Sequence, residues 1–261
     1  MLFRVTVAYD GTEFDGWQSQ TREDGRGRAR TVQDTLEDAL GRLSGGGRVA
    51  VAGAGRTDAG VHALGQVSHF DLIRTWPTDT VRAGLNFHLK PDPIAIVDCA
   101  QVADDFDARF SALARHYRYR ILARPAPSML DRERVWWVPQ PMRIEAMSRA
   151  AAFLVGRHDF TTFRAAGCQA KSPIKTLDLL EVSAIDDEIV IAASARSFLH
   201  NQVRSMVGSL KLVGEGKWQP ADLRAALEAK DRSACGVVAP ARGLYLVRVD
   251  YASGGTAPGA A

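Results

Sequence analysis

Three glycines bracket an arginine, a threonine and an aspartate in Gly53-Ala54-Gly55-Arg56-Thr57-Asp58-Ala59-Gly60-Val61-His62-Ala63, directly after an apolar stretch. Glycine admits backbone conformations closed to other residues and lets a second chain approach closely. The run matches neither GxGxxG nor GxxxxGK[ST], which disfavours a nucleotide-binding loop. One reading is a carboxylate nucleophile on a constrained loop. Such a group attacks only when ionised, and a nearby cation holds its pKa down while orienting it. Arg56 is close in sequence but can point away, so a cation from elsewhere in the chain serves better. The plainer reading is a turn in which Asp58 caps a helix and Arg56 is solvated.

Two further stretches carry chemistry. Arg109 to Arg124, RFSALARHYRYRILAR, holds five arginines and no acidic residue. If His116 to Leu122 is a strand, Tyr117 and Tyr119 share one face and Arg118 and Arg120 the other. That arrangement suits a base on an aromatic ring and phosphates on guanidinium groups, or a half-buried strand with Tyr toward the core and Arg toward water. In RSFLHNQVRSMVGSLKLVG, Arg204 follows Val203 at the edge of an apolar stripe, where it can reach inward to a carboxylate, while His200, Arg204, Gly208 and Lys211 fall on a polar face. The six histidines show no HxxxH or HExxH spacing, and the three cysteines no CxxC pair, which argues against a metal site and a disulfide framework.

The elements that must position these residues follow from periodicity. Residues 2–9 alternate as a strand ending at Asp10-Gly11, and QTREDGRGRAR between Ser19 and Arg30 reads as a mobile basic loop. Thr31 is an N-cap for a helix carrying Val32, Leu36, Leu40 and Leu43. Arg48–Ala52, Gln66–Leu72 and Ile94–Val102 read as strands and Asp79–Leu89 as a helix, which completes strand, helix, strand, strand, helix, strand. The second half has a strand at His116–Leu122, a helix face at Ile144, Met147, Ala151 and Leu154, a hairpin around Asp186-Asp187, the helix of Arg204, a short helix opened by Pro220, and a last strand over Gly243–Tyr251. The expectation is an α+β protein of two ferredoxin-like βαββαβ halves, whose antiparallel or mixed sheets join into one larger sheet, with helices on one side and the active-site cleft between the halves. The halves are 1–106, with the Asp58 loop, and 107–251, which completes the site; 252–261 is a disordered tail.

Composition is that of a soluble globular chain of 261 residues, 46% hydrophobic and 24% charged. The net charge of +3 does not by itself indicate a nucleic-acid binder, yet 27 of the 33 basic residues are arginines, the side chain suited to phosphates and to stacking. The start MLFRVTVAYD is no secretory leader and no run of about 18 apolar residues occurs, so the expected location is cytoplasmic.

Taken in order, Tyr9-Asp10-Gly11-Thr12-Glu13-Phe14-Asp15-Gly16-Trp17-Gln18-Ser19-Gln20, Thr31-Val32-Gln33, GAGRTDAGVHA with Gly65-Gln66-Val67, FDARFSALARHYRYRI, HDFTTFR, FLHNQVRSMVG and Ala239 to Leu246 resemble the tRNA pseudouridine synthase A family over about residues 2 to 251. The resemblance implies an isomerase that converts uridines at positions 38–40 of the tRNA anticodon stem-loop to pseudouridine, acting as a homodimer without metal or organic cofactor. It makes Asp58 the catalytic aspartate, Tyr117 the tyrosine that stacks on the target uracil, and Arg204 the arginine paired with Asp58. Leu244 becomes the apolar residue lining the pocket, with Leu246 on the same side of its strand, and Arg56 the loop arginine that holds the flipped nucleotide. The chain departs from the family at Asp107, where His is usual, at Gln202, where Met is common, and in the longer QTREDGRGRAR loop. Two rivals stand beside this reading: a catalytically silent tRNA-binding module on the same scaffold, and a uracil-C5 methyltransferase, which needs a nucleophilic Cys among Cys99, Cys168 and Cys235.

Overall fold

A computed structural model describes residues 1–20 and 29–252. Most of the basic stretch expected to be a mobile loop, 21–28, and the tail from 253 onward lie outside the described residues. The protein is α+β, with ten strands and five α-helices among the described residues. It divides into two compact units, one made of Met1–Leu113 with the chain from Leu246 onward, the other of Ala114–Tyr245.

The first unit contains β1 (Leu2–Tyr9), α1 (Val32–Leu43), β2 (Ala52–Gly53), β3 (His62–Asp71), α2 (Thr78–His88) and β4 (Ile94–Gln101), the element order expected from the sequence. Its strand order is β4-β1-β3-β10, where β10 is Leu244–Tyr251, and β2 pairs with β3. β1 runs antiparallel to both β3 and β4. Alternation does what the pattern requires: Phe3, Val5, Val7 and Tyr9 are buried, and Phe3 stacks on its register partner Phe70 with ring centroids 6.0 Å apart. α1 buries Val32, Leu36, Ala39 and Leu40, and Thr31 caps it as expected, its Oγ1 accepting from the Asp34 N–H at 3.2 Å. β2 is shorter than the strand expected over Arg48–Ala52, because Val51 is held by a side chain instead of a strand: its N–H donates to Glu37 Oε1 at 3.2 Å.

The second unit holds β5 (Ala112–Ala123), β6 (Trp136–Val138), α3 (Ile144–Ala152), β7 (Gly156–Asp159), β8 (Ile174–Ile185), β9 (Glu188–Ala195), α4 (Gln202–Gly214) and α5 (Pro220–Ala229). Its order is β5-β9-β8-β7, with β6 parallel to β5. β6 and β7 were not expected, because strands of three and four residues are too short to show a period. The β8–β9 hairpin turns at Asp186-Asp187 as expected, with Asp186 at φ 53°, a left-handed value Asp tolerates. α4 buries Val203, Met206, Val207, Leu210 and Val213, but also Gly208, which the sequence placed on a polar face. The reason is the chain at 235–239: a Cβ on Gly208 would collide with the Val237 carbonyl, so this face of α4 is covered by backbone.

Candidate active site

Asp58 is on the loop joining β2 to β3, and no helix follows it for it to cap: Val61 N–H donates to the Asp58 carbonyl at 3.1 Å and β3 begins at His62. The loop is held on nearly every side. Ala54 N–H donates to Val67 O at 2.8 Å and the buried Gln66 amide to Gly55 O at 2.8 Å. Tyr9 Oη and Thr57 Oγ1 are 2.8 Å apart, both residues buried. From the other side, the 10–18 segment clasps the loop. Trp17 N–H donates to Thr57 O at 3.0 Å, Gly60 N–H to Phe14 O at 3.2 Å, and Gly11 N–H to His62 Nδ1 at 3.0 Å.

Gly16 allows this clasp. It has φ +101°, and a Cβ there would lie 2.7 Å from the Thr57 carbonyl oxygen. Asp58 is left half-buried and Arg56 exposed. Fixing the backbone on both sides of a carboxylate in this way is what a positioned nucleophile or base requires, because orientation is then paid for by folding.

Arg56 is oriented through a relay from α1. Its Nε–H donates to Gln18 Oε1 at 3.0 Å, and the Gln18 amide donates to Gln33 Oε1 at 2.9 Å. Gln33 in turn donates to Val51 O at 3.1 Å and to Glu37 Oε1 at 3.0 Å. Glu37 is buried and paired with Arg48 at 2.8 Å. Gln18, Gln33 and Tyr9 are thus supporting residues to which sequence reasoning gave no role; their signal lay in the quoted motifs.

In the second unit, Tyr117 is on β5 opposite Ala193 of β9, half-buried, with its ring edge-on to Phe198 at 5.2 Å and 90°. Phe198 was not singled out in the sequence. Tyr119 is fully buried, and burial pushes its hydroxyl's titration up. Arg118 and Arg120 do not project into water: Arg118 lies 5.7 Å from the Tyr245 ring, and Arg120 grips both Glu188 oxygens at 2.7 Å. The Arg120 guanidinium holds the Glu188 carboxyl below the usual carboxylate range against the effect of burial.

Arg204, in the first turn of α4, is half-buried. Its Nε–H donates to Ala239 O at 2.7 Å and an Nη1–H to Asn201 Oδ1 at 2.9 Å. Asn201 has φ 62°, a conformation its short polar side chain accommodates. Leu244 and Leu246 are both buried, at 6% and 0% exposure. The structure therefore brings Arg56 and Asp58 onto one loop of the first unit, and Tyr117, Arg204 and Leu244 into the second.

The two departures at single residues have local functions. Asp107 Oδ1 accepts from the N–H groups of Arg109 and Phe110 at 2.7 and 2.8 Å, and Gln202 Oε1 accepts from Leu199 N–H at 2.8 Å. All three cysteines are free, and burial pushes the Cys99 thiol up to about 12. A thiol so reluctant to ionise is no nucleophile.

The family described as tRNA pseudouridine synthase matches residues 5–111 and 150–252, segments that include Arg56, Asp58, Arg204 and Leu244, with Tyr117 in the stretch between them. The chain belongs to the tRNA pseudouridine synthase family and is an isomerase. It is 56% identical over 249 residues to the tRNA pseudouridine synthase A of Maricaulis maris, covering 95% of this chain and 97% of that one. Identity to the protein of the same name from Sinorhizobium fredii is 55% over 251 residues, 95% and 99% of the two chains, and to that from Rhodospirillum rubrum 56% over 256 residues, 98% and 90%. No helix among the described residues is long and apolar enough to cross a membrane.

Proposed function

We propose that the protein isomerises uridine to pseudouridine at positions 38–40 of the tRNA anticodon stem-loop, in the cytoplasm, as a homodimer, with Asp58 as the catalytic carboxylate. The residues assigned to the reaction are Asp58 and Arg56, from the half 1–106, and Tyr117, Arg204 and Leu244, from the half 107–251. The observation that carries the reading is the Asp58 loop, a family-specific sequence whose backbone is clamped from both sides by Thr57, Gly60 and Gln66 contacts.

The chemistry breaks the N1–C1′ bond of uridine and joins C1′ to C5, with the C5 proton lost and N1 regaining one. It is redox-neutral and needs no energy donor. Addition of Asp58 to C6, its attack on C1′, and removal of the C2′ proton to give a glycal all require a carboxylate as nucleophile or base, and Arg204 is the arginine assigned to pair with it. Tyr117 holds the detached uracil while it turns, its ring angle fixed by Phe198, and Leu244 supplies the apolar wall. The target base must first leave the stack, at a cost of a few kcal/mol, and Arg56, pre-oriented by Gln18, holds the flipped nucleotide.

Chemical mapping of pseudouridine on unmodified tRNA tests this reading, since substrate and product have equal mass. New pseudouridine confined to positions 38–40 supports it. Modification elsewhere overturns the substrate, and tRNA binding with no modification favours the silent binding module.

A further inference from the structure

We propose that Tyr119, two residues beyond the uracil-stacking tyrosine, is a positioning residue for Arg204, acting through the Ala239–Gly243 segment. The inference rests on the reading of Arg204 as the partner of Asp58. Tyr119 is fully buried, and its hydroxyl donates to the Pro240 carbonyl at 2.7 Å. The next carbonyl back along the chain, Ala239 O, accepts the Arg204 Nε–H at 2.7 Å, while Ala239 N–H donates to Arg204 O at 3.1 Å. Ala239 is itself completely buried. One residue, Ala239, therefore grips Arg204 at both its guanidinium and its main chain, and the next carbonyl along is pinned by Tyr119.

Contact reinforces the hydrogen bond. A Cβ on Gly243 would lie 2.5 Å from the Tyr119 ring, so only glycine lets the 239–243 segment lie against it. Arg204 and Arg242 are also near enough for their charges to oppose the rise that burial imposes on the Tyr119 hydroxyl. Asn201, the N-cap residue just before α4, fixes one edge of the guanidinium. The Ala239 carbonyl fixes the other edge, and without the Tyr119 anchor that carbonyl is free to shift. Misplacement of a catalytic array by about 1 Å can cost as much as 100-fold in rate. The brace predicts that losing the single buried hydroxyl oxygen of Tyr119 slows the chemical step and leaves tRNA binding intact.

The test is a double-mutant cycle of Y119F and R204K, read as single-turnover pseudouridylation beside tRNA affinity. Expected for Y119F is a rate about 10- to 100-fold lower with affinity within about twofold. In the R204K background, Y119F should change the rate by less than about threefold, because the brace acts through Arg204. A Y119F protein with the wild-type rate overturns the proposal. Equal fold losses in both backgrounds also overturn it, since they mark a general structural effect. If R204K alone keeps the wild-type rate, the assignment of Arg204 fails and the brace falls with it; a slow R204K beside a fast Y119F removes the brace alone.

Discussion

At the scale of single residues, the site depends on backbone that leaves no room to move. Gly16 has φ +101° and faces the Thr57 carbonyl at a distance no side chain accepts. Alanine there combines a disfavoured conformation, costing about 1–2 kcal/mol, with displacement of the Asp58 loop. G16A should therefore lower the thermal midpoint and slow pseudouridylation about 10- to 100-fold, with thermal melts and single-turnover rates as the checks. A wild-type rate would show that the clasp does not set the carboxylate's position. Tyr9 and Thr57 define a milder case: T57V removes a hydroxyl shared at 2.8 Å in a buried setting and should cost about 1–3 kcal/mol. Asp58 was legible as a candidate because glycine, carboxylate and arginine were adjacent in sequence. Gln18, Gln33 and Phe198 were not, because their roles exist only once distant segments are folded together.

At the scale of elements, α4 and the β5–β9 pair set the second unit's side chains. Gly208 is in the middle of α4, where alanine ordinarily gains about 1 kcal/mol of helix propensity. Here the Val237 carbonyl occupies the space a Cβ needs, and overpacking against backbone costs about 1–3 kcal/mol, so G208A should be destabilising. A raised melting temperature would contradict that packing. Beside it, the Arg120–Glu188 pair predicts a pH effect. The Glu188 carboxyl is held below its ordinary range chiefly by the hydrogen bond from Arg120. A depressed carboxylate contributes stability above its unfolded pKa and loses it as pH falls through the folded one. The wild type should therefore lose stability on acidification below the ordinary carboxylate range, and E188Q should start lower at neutral pH and fall less steeply. Glu188 keeps 31% of its side-chain exposure, which limits the difference to about 1 kcal/mol. The periodicity of β1, α1, the β8–β9 hairpin and α4 was readable because each buries one face over two or more repeats. β6 and β7 are too short for that, and Gly208 misled because helical spacing does not reveal an irregular segment crossing the helix.

At the scale of the whole molecule, a net charge of +3 conceals 27 arginines distributed unevenly along the chain. Affinity for tRNA should fall about tenfold or more between 50 and 200 mM salt as phosphate contacts are lost; a salt-insensitive affinity would remove the electrostatic part of the account. Family membership was legible from ordered motifs alone, since seven segments in sequence are hard to match by chance. The physical route from motif to activity needed the fold, which shows that YDGTEFDGWQSQ and GAGRTDAGVHA are two sides of one clamp around Asp58. The most direct measurement is single-turnover pseudouridylation by D58N beside its tRNA affinity. The account predicts a rate lower by about a thousandfold or more with affinity within about threefold of wild type. A D58N protein that still converts uridine to pseudouridine at an appreciable rate would contradict it.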